Sequence, residues 1–201
     1  MSVAVVTGPT NGGKTFTAEW IVSSLEVPGT EVKIFKTCTT RQRRPGETEQ
    51  NKLTSYHFLT REEFETAIGN NEFFEYYELD KGTHYDYYGT RLKDLQEAVM
   101  SDILYIMVLD PVGAKKVQKM FPDRVKVVFL TPPSITELFR RAIKRNTDPI
   151  ETVIARVYRS ETEELLYQDD FDIKILNSDI NTCRNEVSNF IIENFKNQKN
   201  N

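Results

Sequence analysis

The stretch GPTNGGKT at residues 8–15 follows an apolar run, Val3-Ala4-Val5-Val6. It fits the spacing G-x-x-x-x-G-K-[ST], with Gly8, Gly13, Lys14 and Thr15 at the fixed positions. Glycines let the backbone curl so that consecutive N–H groups point inward at an anion. Lys14 can reach a terminal phosphate, and the Thr15 hydroxyl can ligate a magnesium ion. The helix expected to start at Lys14 adds the positive end of its dipole. The stretch is therefore suited to holding a nucleoside triphosphate. A second cluster, TCTTRQRRPGE at residues 37–47, sets Arg41, Arg43 and Arg44 just before a Pro-Gly turn. Alone it would read as solvated surface, but a segment rich in aromatics follows it. Planar guanidinium forks bind phosphate bidentately, and the hydroxyls of Tyr56 and Tyr88 can add neutral donors to the same anion. A second phosphate site beside a phosphate loop implies a phosphorylated acceptor.

Several elements must position these groups. Apolar runs of strand length recur at 3–7, 32–36, 103–109, 125–130 and 173–176, apolar along their whole length as in a parallel sheet covered on both faces. A helix is expected over 14–24. Ser134-Ile135-Thr136-Glu137 and Thr60-Arg61-Glu62-Glu63 have the form of capping boxes. The charged, periodic stretch 151–168 is expected as one long helix, and 181–195 as a closing amphipathic helix, with the polar tail KNQKNN frayed. The pattern predicts an α/β, three-layer P-loop NTPase fold with a parallel central sheet. Residues 37–90 break the rhythm with short alternating segments and many aromatics (Tyr56, Phe58, Phe64, Phe73, Phe74, Tyr76, Tyr77, Tyr85, Tyr87, Tyr88). They read as a small mixed α+β insertion that binds the acceptor.

With 201 residues, 39% hydrophobic and 28% charged, the chain has the composition of one globular domain. A net charge of −4 argues against broad binding to nucleic acid or anionic membrane. Cys38 and Cys183 match no metal-ligand spacing and read as buried thiols of a reducing compartment. No signal peptide is read at the start, and the longest apolar run is too short to span a bilayer. The expectation is a cytoplasmic protein, monomer or homodimer.

The chain resembles the guanylate kinase family. The pattern TTR-x-x-R-x-G-E stands as Thr39-Thr40-Arg41, Arg44, Gly46 and Glu47. After it come Tyr56 and Phe58, Phe73 and Glu75, YYGT at 87–90, LDPVG at 109–113, FLTPPS at 129–134 and ILNSD around Asn177, in order along nearly the whole chain. The resemblance implies an ATP:GMP phosphotransferase acting on GMP or dGMP with magnesium. Its core would be 1–36 and 91–201, with a helical lid at about 140–158 and a GMP-binding insertion at 37–90. It implies that Gly8, Pro9, Thr10, Asn11, Gly12, Gly13, Lys14, Thr15, Phe16 and Asn177 contact ATP, with Asn177 on the adenine side. Arg41, Arg44, Tyr56 and Tyr88 would clamp the GMP phosphate, and Thr37, Glu75, Thr90 and Asp110 would read guanine. Arg141, Arg145 and Arg156, with Lys14 and Arg41, would surround the transferring phosphate. Such a transfer needs alignment and positive charge rather than a general base. Tyr76 and Tyr77 read as packing, Arg140 as a solvated helix face, and nothing is assigned to His57 or His84.

The sequence departs from the family at extra residues between Glu47 and Tyr56 and around Asp80-Lys81-Gly82. Val108 stands where an acidic residue is usual, and Cys38 where a small hydroxyl is. Alternatives remain: a related kinase for another phosphorylated acceptor, a non-catalytic phosphopeptide-binding module, or a GTPase. The intact Lys14-Thr15 pair disfavours the module. Asp110-Pro-Val-Gly113 fits D-x-x-G, but Asn51-Lys52-Leu53-Thr54 lacks the aspartate of N-K-x-D.

Overall fold

In the computed structural model, residues 1–44, 46–48, 51–80 and 85–199 are described. Pro45, His84 and the Lys81-Gly82 part of the second expected insertion lie outside them. Five strands, β1 (Val3–Thr7), β2 (Val32–Ile34), β7 (Leu104–Val108), β8 (Val125–Thr131) and β9 (Ile173–Leu176), form a sheet in the order β2-β7-β1-β8-β9. Every pairing in it is parallel. Side chains alternate across a strand, so Ala4 and Val6 of β1 face one apolar layer while Val3 and Val5 face the other. The first layer is closed by Ala18 and Ile21 of α1 (Lys14–Ser24) and by Cys183, Val187 and Ile191 of α7 (Ile180–Lys199). The second is closed by Leu95, Ala98 and Val99 of α3 (Leu92–Met100) and by Ala114 and Val117 of α4 (Pro111–Met120). Among the described residues, no helix is long and apolar enough to cross a membrane.

The second sheet is mixed and has the order β4-β3-β6-β5, from β3 (Thr37–Thr39), β4 (Tyr56–Phe58), β5 (Phe73–Asp80) and β6 (Tyr85–Arg91). Helix α2 (Arg61–Gly69) packs on it through Phe64, whose ring stacks on Phe73 at 4.3 Å and on Tyr87 at 5.0 Å. The aromatic wealth of this segment is thus a small core of its own. Helices α5 (Ile135–Arg145) and α6 (Ile150–Thr162) form a third packing unit around Leu138, Ala142, Val153 and Val157.

Four expectations are corrected. The second apolar run pairs only over Val32–Ile34. The stretch 151–168 is not one helix: α6 ends at Thr162, Glu163 leaves helical geometry (φ −128°, ψ −58°), and a 3₁₀ turn spans Glu164–Tyr167. The break brings Glu164 inward, where it is 7% exposed. Thr60 and Glu63 form a full capping box, whereas Ser134 caps α5 alone, because the Glu137 carboxylate is taken by Arg140 and Arg141. Helix α7 continues through 196–199 of the tail expected to fray. Cys38 and Cys183 are both buried free thiols.

Candidate active site

The loop after β1 is shaped by positive backbone angles at Gly8 (φ 135°), Asn11 (φ 59°) and Gly13 (φ 96°). A Cβ on Gly8 would stand 2.5 Å from the carbonyl oxygen of Leu130, and one on Gly13 would stand 2.5 Å from Nδ2 of Asn177. Helix α1 starts at Gly13 with no side-chain cap and no acid in its first turn, so its first N–H groups remain available to an anion. The Lys14 ammonium donates to the carbonyl oxygens of Gly8 (2.8 Å) and Pro9 (2.9 Å). Burial lowers the Lys14 pKa, while the charges of Glu164 and Asp110 act the other way.

This loop forms one end of a cleft of about 1130 Å³ whose walls come from all three packing units. Of the residues expected at the donor end, Thr10 to Phe16 line it. Gly8 and Pro9 are buried below the surface and hold Lys14 through their carbonyls. Asn177 is 3% exposed and does not line the cleft; its amide donates to the carbonyl oxygen of Gly12 at 2.8 Å. It braces the loop from behind. Phe16 is 58% exposed at the cleft mouth, with the Arg184 guanidinium 4.6 Å above its ring.

The opposite end lies on the second sheet. Arg41, whose cluster taken alone would read as solvated surface, is 8% exposed. Its fork donates to both carboxylate oxygens of Glu47 (2.9 and 2.8 Å) and lies over the rings of Tyr56 and Phe58. Arg44 and Arg145 line the same space and form no hydrogen bond or ion pair through their side chains among the described residues. Burial, then the charges of Arg145 and Arg41, lower the Arg44 pKa. Arg44 thus lies in the field of two other guanidiniums, which favours an anion beside it, while the charges of Glu47 and Asp148 act the other way. Tyr56 and Tyr88 approach edge to face at 6.0 Å, and burial pushes the Tyr88 hydroxyl up to about 12, so it is a neutral donor at pH 7.

Beyond the arginines, Glu75 and Thr90 face each other across β5 and β6, and the Thr90 hydroxyl donates to Glu75 at 2.8 Å. Burial raises the Glu75 pKa; the Thr90 hydrogen bond opposes this, and the nearby Asp110 charge adds to it. Asp110 caps α4 through Gly113 N–H (3.0 Å) and still faces the cleft, as do Thr37 and Val108. From the third unit come Arg141, tied to Glu137 (2.8 Å) and to the carbonyl oxygen of Asn177 (2.7 Å), and Arg156, paired with Asp148 at 3.0 Å.

Among the cleft residues to which sequence reasoning gave no site role are Tyr77, Glu47 and Glu164. Tyr77, read as packing, stacks on Tyr88 at 5.3 Å but also lines the cleft. Its spacing of two from Glu75 along a strand was the available signal. Glu47 stood inside the quoted motif without a role. Glu164, in the cleft wall against Thr10, had no sequence signal.

A phosphate loop at the end of a parallel sheet, facing across a cleft a second sheet with arginines beside it, defines a P-loop fold with a separate insertion. The chain belongs to the guanylate kinase family: the family model "Guanylate kinase" matches residues 1–194. It is 32% identical to guanylate kinase of Porphyromonas gingivalis over 94% of this chain and 95% of that protein. It is 34% identical to guanylate kinase of Carboxydothermus hydrogenoformans over 92% and 84%. The crystal structure of guanylate kinase from Anaplasma phagocytophilum superposes with a TM-score of 0.66 at 26% identity, covering 94% of this chain and 83% of that one.

Proposed function

We propose that the protein transfers the γ-phosphate of ATP to GMP or dGMP, giving ADP and GDP or dGDP. The observation that carries this reading is the pair of anion sites facing each other in one cleft, with a carboxylate–threonine pair beyond the second. Residues 1–36 and 91–201 serve as the core, 37–90 as the acceptor-binding insertion and about 140–158 as the lid. The loop N–H groups and Lys14 hold the triphosphate, and Phe16 with Arg184 flanks the donor base. Arg41, Arg44, Tyr56 and Tyr88 hold the acceptor phosphate, while Glu75, Thr90, Thr37 and Asp110 face its base.

An acceptor phosphate oxygen attacks the γ-phosphorus in line as the bond to the bridging oxygen of ADP breaks. A phosphate monoester is already an anion, so no protein base is required. Lys14, Arg141, Arg145 and Arg156 offset the charge on the equatorial oxygens, and closure of the lid excludes water that would otherwise hydrolyse ATP. The residues fit a magnesium ion. Thr15 is exposed to the cleft, and among the described residues no cluster of three His, Cys, Asp or Glu side chains is arranged to bind a metal alone. That suits an ion held by one protein oxygen, phosphates and water. When bound, magnesium supplies charge neutralisation at the β- and γ-phosphates.

The test is a coupled ADP-release assay with ATP and each of GMP, dGMP, AMP, CMP and UMP. The guanine nucleotides should be preferred by at least about two orders of magnitude, roughly 3 kcal/mol across paired charged hydrogen bonds. ADP release no faster with any of them than with water would remove the kinase reading. Equal use of AMP would remove the assignment of guanine.

A further inference from the structure

A buried carboxylate stands where phosphates must arrive. Glu164 is 7% exposed and lines the cleft beside the phosphate loop. Its charge disfavours an incoming triphosphate, so its presence needs a physical reason. One oxygen, Oε2, accepts from the backbone N–H of Thr10 at 2.9 Å and from the hydroxyl of Ser160 at 2.6 Å. Thr10 lies on the leading edge of the loop, and Ser160 is fully buried in the last turns of α6. The break of α6 at Glu163 sets this carboxylate at the loop. Glu164 thus joins the loop to the helix pair carrying Arg141, Arg145 and Arg156. Its charge also favours the protonated form of Lys14.

We propose that Glu164 is a positioning residue that holds the leading edge of the phosphate loop against α6, so that the loop donors are preset for the donor triphosphate. The proposal rests on the kinase reading above. Because both bonds fall on one oxygen, Glu164→Gln can keep both with its carboxamide oxygen while losing the charge, whereas Glu164→Ala loses both. Glu164→Asp keeps the charge but is one methylene short of both donors.

Two measurements test it. In ligand-free protein, hydrogen exchange at the Thr10 amide should accelerate about tenfold or more in the Ala and Asp variants, as expected for loss of a hydrogen bond to a charged group. It should change little in Gln. In turnover, KM for ATP should rise about tenfold in Ala and Asp while KM for GMP stays within about twofold, and Gln should remain close to wild type. A purely structural role would move both substrates together. Unchanged Thr10 exchange in Ala and Asp overturns the proposal, as does a Gln variant as impaired as Ala, since charge rather than anchoring would then be the function. If Ala does not fold, Asp carries the same expectation. The exchange measurement needs no nucleotide, so a failure of the kinase reading would appear separately, as absent turnover in wild type.

Discussion

The choice of acceptor base turns on Glu75, and Glu75→Gln measures it. In the cleft, one carboxylate oxygen of Glu75 accepts from Thr90 at 2.8 Å, leaving the second oxygen and a lone pair of the first for a ligand. Guanine presents adjacent donors, N1–H and the 2-amino group; adenine presents a bare acceptor at N1. A hydrogen bond to a charged group contributes about 1.5–3 kcal/mol. A glutamine has one acceptor oxygen, which Thr90 and guanine must share, and its amide hydrogens oppose the guanine donors. The variant should lose about 3 kcal/mol toward GMP, which is on the order of a hundredfold in kcat/KM.

Measured by coupled ADP release, the loss should fall on GMP with KM for ATP nearly unchanged. IMP, which lacks the 2-amino group, should be a poorer substrate than GMP for wild type by about tenfold and nearly its equal for the variant. The pH profile adds an independent check. Burial and the Asp110 charge raise the Glu75 pKa, so GMP use should fall as pH drops through a value above the ordinary carboxylate range. That limb should vanish in Glu75→Gln. If the variant keeps full selectivity for GMP over IMP and AMP, Glu75 does not face the base and the acceptor assignment fails.

Lys14→Ala should reduce kcat by at least about a hundredfold, the usual cost of one preorganised electrostatic group, while thermal unfolding shifts by only a few degrees; near-normal turnover would refute its place at the phosphates. Alkaline stability tests the buried thiols, since burial raises both Cys38 and Cys183 from 9.0 to about 11. Their contribution is complete below pH 9 and is lost as pH rises through 11, at most about 2–3 kcal/mol each. Denaturant titrations of a Cys38→Ala/Cys183→Ala variant should show a clearly shallower decline between pH 8 and 10 than wild type, and parallel curves would contradict the assignment.

The elements legible in the sequence were those whose signals are contiguous. The strand at Val3–Thr7, the glycine loop and the helix at Lys14–Ser24 follow one another without a long-range contact to infer. The second sheet is different. Glu75 meets Thr90, Thr37 meets Tyr56 and Thr39 meets Tyr88 only through strand register, one pairing of which is parallel between short strands. Composition and spacing do not specify that register, and resemblance to a family named those residues. Resemblance also carried residues without their surroundings: it gave no sign that the Asn177 amide is held by the Gly12 carbonyl. The break after Thr162 was invisible for a related reason. Helical periodicity continues into Glu164–Tyr167, while the contact that accompanies the break, from the Thr10 N–H to Glu164, lies far away in sequence.

The same limit applies to charge, and it bears on how the cleft works. An empty site built for several phosphates crowds cations that repel one another. Most are held here by anions or carbonyls of the protein: Lys14 by Gly8 and Pro9 with Glu164 nearby, Arg41 by Glu47, Arg141 by Glu137 and Arg156 by Asp148. Such pairing keeps each cation positioned, but a phosphate that binds it must share it with, or displace, its internal partner, and the net gain shrinks accordingly. Arg44 and Arg145 have no such side-chain partner among the described residues, and each lies in the field of the other. In the proposed reading, the largest electrostatic gain from an acceptor phosphate therefore falls at these two, although Arg41 is the more deeply buried. Arg44 belongs to the second sheet's unit and Arg145 to α5, so an anion bridging them draws the lid toward the acceptor site. Acceptor binding and closure are then one electrostatic event, centred on Arg44 and Arg145.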